Sequence, residues 1–142
     1  MLLMSRRDAY IEHLARVPLF SACSRDELRK LARRTTDIPV AEGHVLVKEG
    51  ERGLEFFVIV NGRAKITRAG RKVGELGPGD FFGELSLLID AERNATITAV
   101  TPMEAIVLSR REFDDALADA PRMTRKLMSG MARRLAEFDS KF

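Results

Sequence analysis

The spacing of apolar residues changes twice along this chain, and the order of those changes restricts the fold more than any single motif. Arg6 to Arg16 and Ser24 to Arg34 carry the helical period and read as two short helices, with Pro18 breaking the backbone hydrogen bonding between them. Ser24 followed by Glu27 is a capping box, in which two side chains satisfy free amides at the start of the second helix, and Cys23 with Leu28 is its hydrophobic staple. From Thr35 the pattern becomes short runs of Val, Ile, Phe and Thr, separated by glycine turns roughly every eight to twelve residues, as in a sandwich or barrel. Strand cores are predicted at Ile38, Val45 with Val47, Phe57 to Val60, Ala64 with Ile66, and Val73, with Asn61-Gly62 as a hairpin turn. Two more strands, 95–100 and 104–108, lie on either side of Thr101-Pro102.

After Ser109 the helical period returns. Phe113 and Leu117 mark one helix, and Met123, Leu127, Met131, Leu135 and Phe138 mark a longer one beginning at Pro121. Helices, then strands, then helices is the order of an α+β domain whose antiparallel, jelly-roll-like β-roll is flanked by terminal helices; a parallel doubly wound sheet needs alternation. The 142 residues are the size of one domain. We divide it into N-terminal helices (1–34), a β-roll (35–109) and C-terminal helices (110–139).

Composition removes several function classes. Cys23 is the single cysteine, so no intrachain disulfide forms, and with only His13 and His44 beside it no Cys/His zinc cage can be assembled. The longest apolar run, Phe56 to Val60, is far short of the roughly twenty residues that cross a bilayer. Met1 to Met4 precede the basic pair Arg6-Arg7, the reverse of a secretory signal, so the expected location is the cytoplasm. The net charge of +3 is divided unevenly: 8 basic and 4 acidic residues in 1–34, 8 and 11 in 35–109, 8 and 6 in 110–142. A nucleic-acid-binding face normally concentrates more positive charge than these solvated helices do.

One segment differs in kind from the rest. Leu76-Gly77-Pro78-Gly79-Asp80 makes a tight turn, and Phe81-Phe82-Gly83-Glu84-Leu85-Ser86-Leu87-Leu88 follows, with Gly83 opening a single helical turn. The first amides of such a turn suit a phosphate, and Arg93 returns nearby with a full charge and a bidentate fork. Leu85, Leu87, Leu88 and Ile89 read as core anchors. Taken singly, Glu84 could stabilise a helix start and Arg93 could pair with Asp90 or Glu92. Gly77-x-Gly79-x-x-x-Gly83 misses the dinucleotide fingerprint by one residue, and Ser86 lies in no Gly-x-Ser-x-Gly elbow, so no enzyme activity is assigned.

Gly83-Glu84-Leu85-Ser86 with Arg93-Asn94-Ala95-Thr96 seven residues beyond Ser86 strongly resembles the phosphate-binding cassette of cyclic nucleotide-binding domains, found in catabolite activators, kinase regulatory subunits and nucleotide-regulated channels. The likeness runs from Pro18-Leu19-Phe20 through Asn61-Gly62 to the last helix, and implies that family's double-stranded β-helix. It further implies that Glu84 accepts from the ribose 2′-hydroxyl, while the amides of Leu85 and Ala95, the Ser86 hydroxyl or amide, and Arg93 hold the cyclic phosphate, with Gly83 a ligand-site residue that leaves the backbone uncovered. Asn94 departs from the small or hydroxyl residue usual after the arginine, leaving the base open; family frequency favours cyclic AMP, with cyclic GMP second and no metal. The base is expected against Val73 and Ile66, with Arg134 and Phe138 of the last helix over the ring and Gly130 breaking that helix before them.

The resulting expectation is a receptor domain that passes ligand binding to its terminal helices and on to an unspecified effector. Two rivals remain at this point: a degenerate scaffold that binds no nucleotide, and a nucleic-acid module using the basic helices. Met123, Leu127 and Met131 face either the domain's own core or a second copy of the chain.

Overall fold

The computed structural model describes residues 6–139, without the side chains of residues 6, 7, 134 and 137–139. Its strands are β1 (Thr36–Val40), β2 (Val45–Val47), β3 (Glu55–Asn61), β4 (Ala64–Arg68), β5 (Arg71–Leu76), β6 (Phe81–Phe82), β7 (Thr96–Ala99) and β8 (Met103–Ser109). Its helices are α1 (Arg6–Ala15), α2 (Arg25–Ala32), α3 (Arg110–Asp119) and α4 (Pro121–Asp139). Short 3-10 turns occupy Pro18–Phe20 and Glu84–Leu87. The chain divides into two compact units, one from Thr35 to Arg110, the other from the segments before and after it.

The first unit is a β-roll of two antiparallel sheets, ordered β1-β8-β3-β6 and β2-β7-β4-β5. Alternation along each strand turns one side chain in two inward, and Val40, Ile59, Ala64, Ile97, Ala99 and Met103 from both sheets make a shared core. Asn61-Gly62 is a turn, as expected, but it closes no hairpin: β3 and β4 belong to different sheets, and the chain crosses from one to the other there. Gly62 has φ +87°, and a Cβ there would lie 2.5 Å from the Pro102 carbonyl, so only glycine fits this turn. Strand β6 was not predicted, because two residues are too few to show a period. It pairs with β3 through Phe57 opposite Phe82 and Val58 opposite Phe81, and the Phe57 and Phe82 rings stack at 4.9 Å. This pairing ties the leading end of the Glu84–Leu87 turn to the central strand.

In the second unit the capping box is present: Ser24 Oγ accepts from the Glu27 amide, and Glu27 Oε1 accepts from the Ser24 amide. Pro18 does more than interrupt a helix. It opens a 3-10 turn that buries Leu19 and Phe20, and Phe20 packs with Phe113 at 6.4 Å between ring centres. Cys23 is half-buried and its thiol is pushed up to about 11, chiefly by burial, which leaves it inert and suited to packing.

Helix α4 corrects two expectations. Met123 and Leu127 are buried, whereas Met131 and Leu135 are 41% and 64% exposed. Steps of four residues advance the face by about 40° each, so a run of them winds away from the side it started on. The buried side continues instead at Gly130. The helix is unbroken there, and the glycine serves contact: a Cβ would lie 2.9 Å from the Leu19 carbonyl and 3.0 Å from that of Pro18.

Glu27 is almost fully buried and accepts from Lys126 Nζ at 2.7 Å. Burial alone raises its carboxyl pKa, but the Lys126 and Ser24 hydrogen bonds outweigh that and hold it below the ordinary carboxylate range. We expect Lys126→Met to lower stability at neutral pH by about 1 to 2 kcal/mol, a charge-assisted hydrogen bond to a partly exposed lysine. Because the folded pKa is depressed, this stabilisation is present above about pH 4.3 and is lost as pH falls through the folded value. Urea unfolding at pH 7 and pH 3 should therefore show a gap between parent and variant that closes in acid.

Candidate functional site

The site is built around a glycine turn and a returning arginine. Asp80 locks the first part: its Oδ2 accepts from the Gly77 amide at 2.7 Å and its own amide donates to the Gly77 carbonyl at 3.0 Å. Ile59 of β3 binds both sides of this turn, accepting from the Gly79 amide and donating to the Asp80 carbonyl, each at 2.8 Å. Gly83 then takes φ +85° and starts the Glu84–Leu87 turn. A Cβ on Gly83 would sit 2.7 Å from the Glu55 carbonyl and 2.5 Å from Arg93 Nη1, so its lack of a side chain makes room for the guanidinium.

Arg93 is fixed at both ends. Its amide donates to the Glu51 carbonyl and its carbonyl accepts from the Gly50 amide, both at 2.8 Å. Its side chain passes against Gly53, where any Cβ would overlap the guanidinium. Nη1 donates to Ser86 Oγ at 3.0 Å and Nη2 to the Glu55 carbonyl at 2.8 Å. Among the described residues no carboxylate comes within ion-pair distance of it. Burial pushes the guanidinium's pKa down, only partly countered by the more distant Glu55 charge. The arrangement is a desolvated cation held by neutral acceptors, which an arriving anion would compensate.

Gly83, Ser86 and Arg93 thus come together. Glu84 is half-buried at the head of the turn, and the Leu85 amide lies in its first part, where N–H groups have no partner within the turn. Asn94 is exposed, with its carbonyl accepting from Arg68 Nε at 2.9 Å, and Ala95 is buried beside it. Ile66 pairs with Gly74 and packs against the roll's core, while Val73, skipped by a shift in the β4–β5 register, is 54% exposed. The two lie on adjacent strands in different surroundings. Arg134 and Phe138, expected over the base, fall on α4 with their side chains outside those described.

Two readings of the cassette change. Leu87 is buried as an anchor, yet Leu85 and Ile89 are 59% and 51% exposed, because so short a turn can direct only part of its residues inward. Asp90 does not pair with Arg93; it accepts from Arg110 Nη1 at 2.7 Å. Glu92 instead forms a backbone bridge with Arg52.

A cavity of about 250 Å³ opens beside Arg93, lined by residues that include Leu46, Val47, Lys48, Arg52 and Gly53. Of the predicted site residues whose side chains are described, only Arg93 borders it. Sequence reading missed Gly53, the Glu55 carbonyl and Arg110. The repeated glycine of Gly50-x-x-Gly53 was the one available signal for the first; a backbone acceptor leaves none. No group of three or more His, Cys, Asp or Glu among the described residues could hold a metal ion, and no helix there is long and apolar enough to cross a membrane.

Comparison with known proteins gives this geometry a family. Residues 38–120, more than half the chain, match the model of the cyclic nucleotide-binding domain. The chain is 37% identical over 114 residues to a cAMP-dependent protein kinase regulatory subunit of Yarrowia lipolytica, covering 79% of this chain and 30% of that protein. It is 30% identical over 129 residues to a CRP-like cAMP-activated global transcriptional regulator of Mycobacterium tuberculosis, covering 87% and 58%. It therefore spans less than two thirds of either relative. The N-terminal domain of a Streptomyces coelicolor transcriptional regulator superposes with a TM-score of 0.83 at 30% identity, over 90% of this chain and 95% of that one. A β-roll with this cassette, matched by that model from within β1 to the end of β8 and beyond, makes the chain a member of the cyclic nucleotide-binding domain family.

Proposed function

We propose that this domain is a cytoplasmic receptor for a cyclic nucleotide, with cyclic AMP preferred, and that occupancy is passed to the helices before and after the β-roll and thence to an effector. The observation that carries this reading is Arg93: a half-buried guanidinium with neutral acceptors and, among the described residues, no carboxylate within ion-pair distance. A cyclic phosphodiester carries one negative charge, the complement of one such cation. In this reading Ser86 and the Leu85 and Ala95 amides share the phosphate, and Glu84 takes the ribose hydroxyl. Ile66 and Val73 offer apolar surface to the base. The two relatives named above specify cyclic AMP, whereas a cGMP-dependent protein kinase of Caenorhabditis briggsae, 34% identical over 123 residues, specifies cyclic GMP, so the preference rests on how often the family takes cyclic AMP. Exposed Asn94 can donate and accept, and so can meet either purine edge.

Calorimetric titration with cyclic AMP, cyclic GMP and linear 5′-AMP tests the proposal. We expect one site per chain, cyclic AMP binding more tightly than cyclic GMP, and 5′-AMP much more weakly than either. Tighter cyclic GMP binding would reverse the base assignment alone. No heat with either cyclic nucleotide would reduce the domain to a scaffold of the same fold.

A further inference from the structure

We propose that Arg110 is a positioning residue for the anion site, holding the trailing end of the Glu84–Leu87 turn so that Ser86 stays aimed at Arg93. Arg110 is the first residue of α3, where a cation opposes the positive end of the helix dipole. Its side chain turns instead to the cassette. Nε and Nη2 donate to the Ser86 carbonyl at 2.8 and 2.6 Å, Nη2 also reaches the Ile89 carbonyl, and Nη1 donates to Asp90. These carbonyls close the turn, where a cation is favourable and unpaired acceptors would otherwise remain.

Ser86 is consequently gripped by two guanidiniums, Arg93 at its hydroxyl and Arg110 at its carbonyl. Both are referred to one stretch of chain: the Arg110 amide donates to the Leu54 carbonyl, and Arg93 Nη2 to that of the next residue, Glu55. The Arg110 side chain is 26% exposed against 63% for Asp90, so the carbonyl contacts rather than the surface ion pair determine its place. A planar fork reaches two carbonyls and a carboxylate from three separate nitrogens, whereas a lysine carries all its donors on one.

The inference rests on the reading of the cassette as a cyclic nucleotide site, and its test separates the two. Arg110→Gln and Arg110→Lys would be compared with Arg111→Gln, a change at the exposed neighbouring arginine. Without nucleotide, Arg110→Gln should speed hydrogen exchange across residues 83–90 by about tenfold while the interiors of β3 and β8 keep parental protection. It should also weaken cyclic AMP binding by about tenfold, with Arg110→Lys between it and the parent and Arg111→Gln parental. Parental exchange in 83–90 for Arg110→Gln would overturn the assignment. So would parental affinity, or acceleration spread evenly through the roll, which would mark general support of the fold. If the parent chain bound no cyclic nucleotide, the receptor reading would fall and the exchange comparison alone would decide the role of Arg110.

Discussion

Arg93→Ala is expected to bind cyclic AMP on the order of a hundredfold more weakly than the parent, with only a small loss of stability. Removing one partner from a buried charge pair costs about 3 to 5 kcal/mol, and the half-buried position of Arg93 places it near the lower figure. Roughly 1.4 kcal/mol corresponds to a tenfold change in affinity, so two orders of magnitude follow. The free protein loses less. Arg93 donates there to a serine hydroxyl and to the carbonyl of exposed Glu55, and water can replace it at the carbonyl. Calorimetry paired with urea unfolding separates the two quantities. Equal affinity in the variant would remove the guanidinium from the phosphate assignment, and a parallel collapse of stability would make Arg93 a structural residue.

Gly83→Ala should act on both quantities together. An L residue at φ +85° is strained by about 1 to 2 kcal/mol, and the new methyl would lie 2.7 Å from the Glu55 carbonyl, which belongs to a central strand and cannot retreat cheaply. A loss of about 2 to 3 kcal/mol in stability is expected. The same methyl would stand 2.5 Å from Arg93 Nη1, and a flexible side chain yields more readily than backbone. The guanidinium should therefore be displaced, weakening cyclic AMP binding by about tenfold or more. A variant matching the parent in urea midpoint and in affinity would show that Gly83 packs more loosely than these distances require.

What could be read in advance follows from how far apart the participants lie. Gly83, Ser86 and Arg93 fall within eleven residues of chain, and their residue types are themselves the chemistry: a turn that admits positive φ, a hydroxyl and a cation. The partners that hold them are remote. Glu55 contributes a carbonyl from 38 residues before Arg93, and Arg110 reaches Ser86 across 24 residues. A backbone oxygen has no side-chain signature, and an arginine beginning a helix reads as surface charge until its guanidinium is located.

The same distinction holds for the helices. Ser24 and Glu27 form their capping box within one turn, so local chemistry suffices to recognise it. Which side of α4 is buried depends on what meets it, and the carbonyls of Pro18 and Leu19, more than a hundred residues earlier, select Gly130 over Met131.

Local physics alone specified the order of elements, a turn at Asn61-Gly62 and the glycine-led turn with its arginine, because each depends on backbone preference or on periodicity over a few residues. Tertiary structure decided that the arginine would meet no carboxylate among the described residues, that Asp90 would go to Arg110, and that Leu85 and Ile89 would remain exposed. Those outcomes turn on which groups separated by tens of residues compete for the same few ångströms, and the competition takes place only in the folded chain.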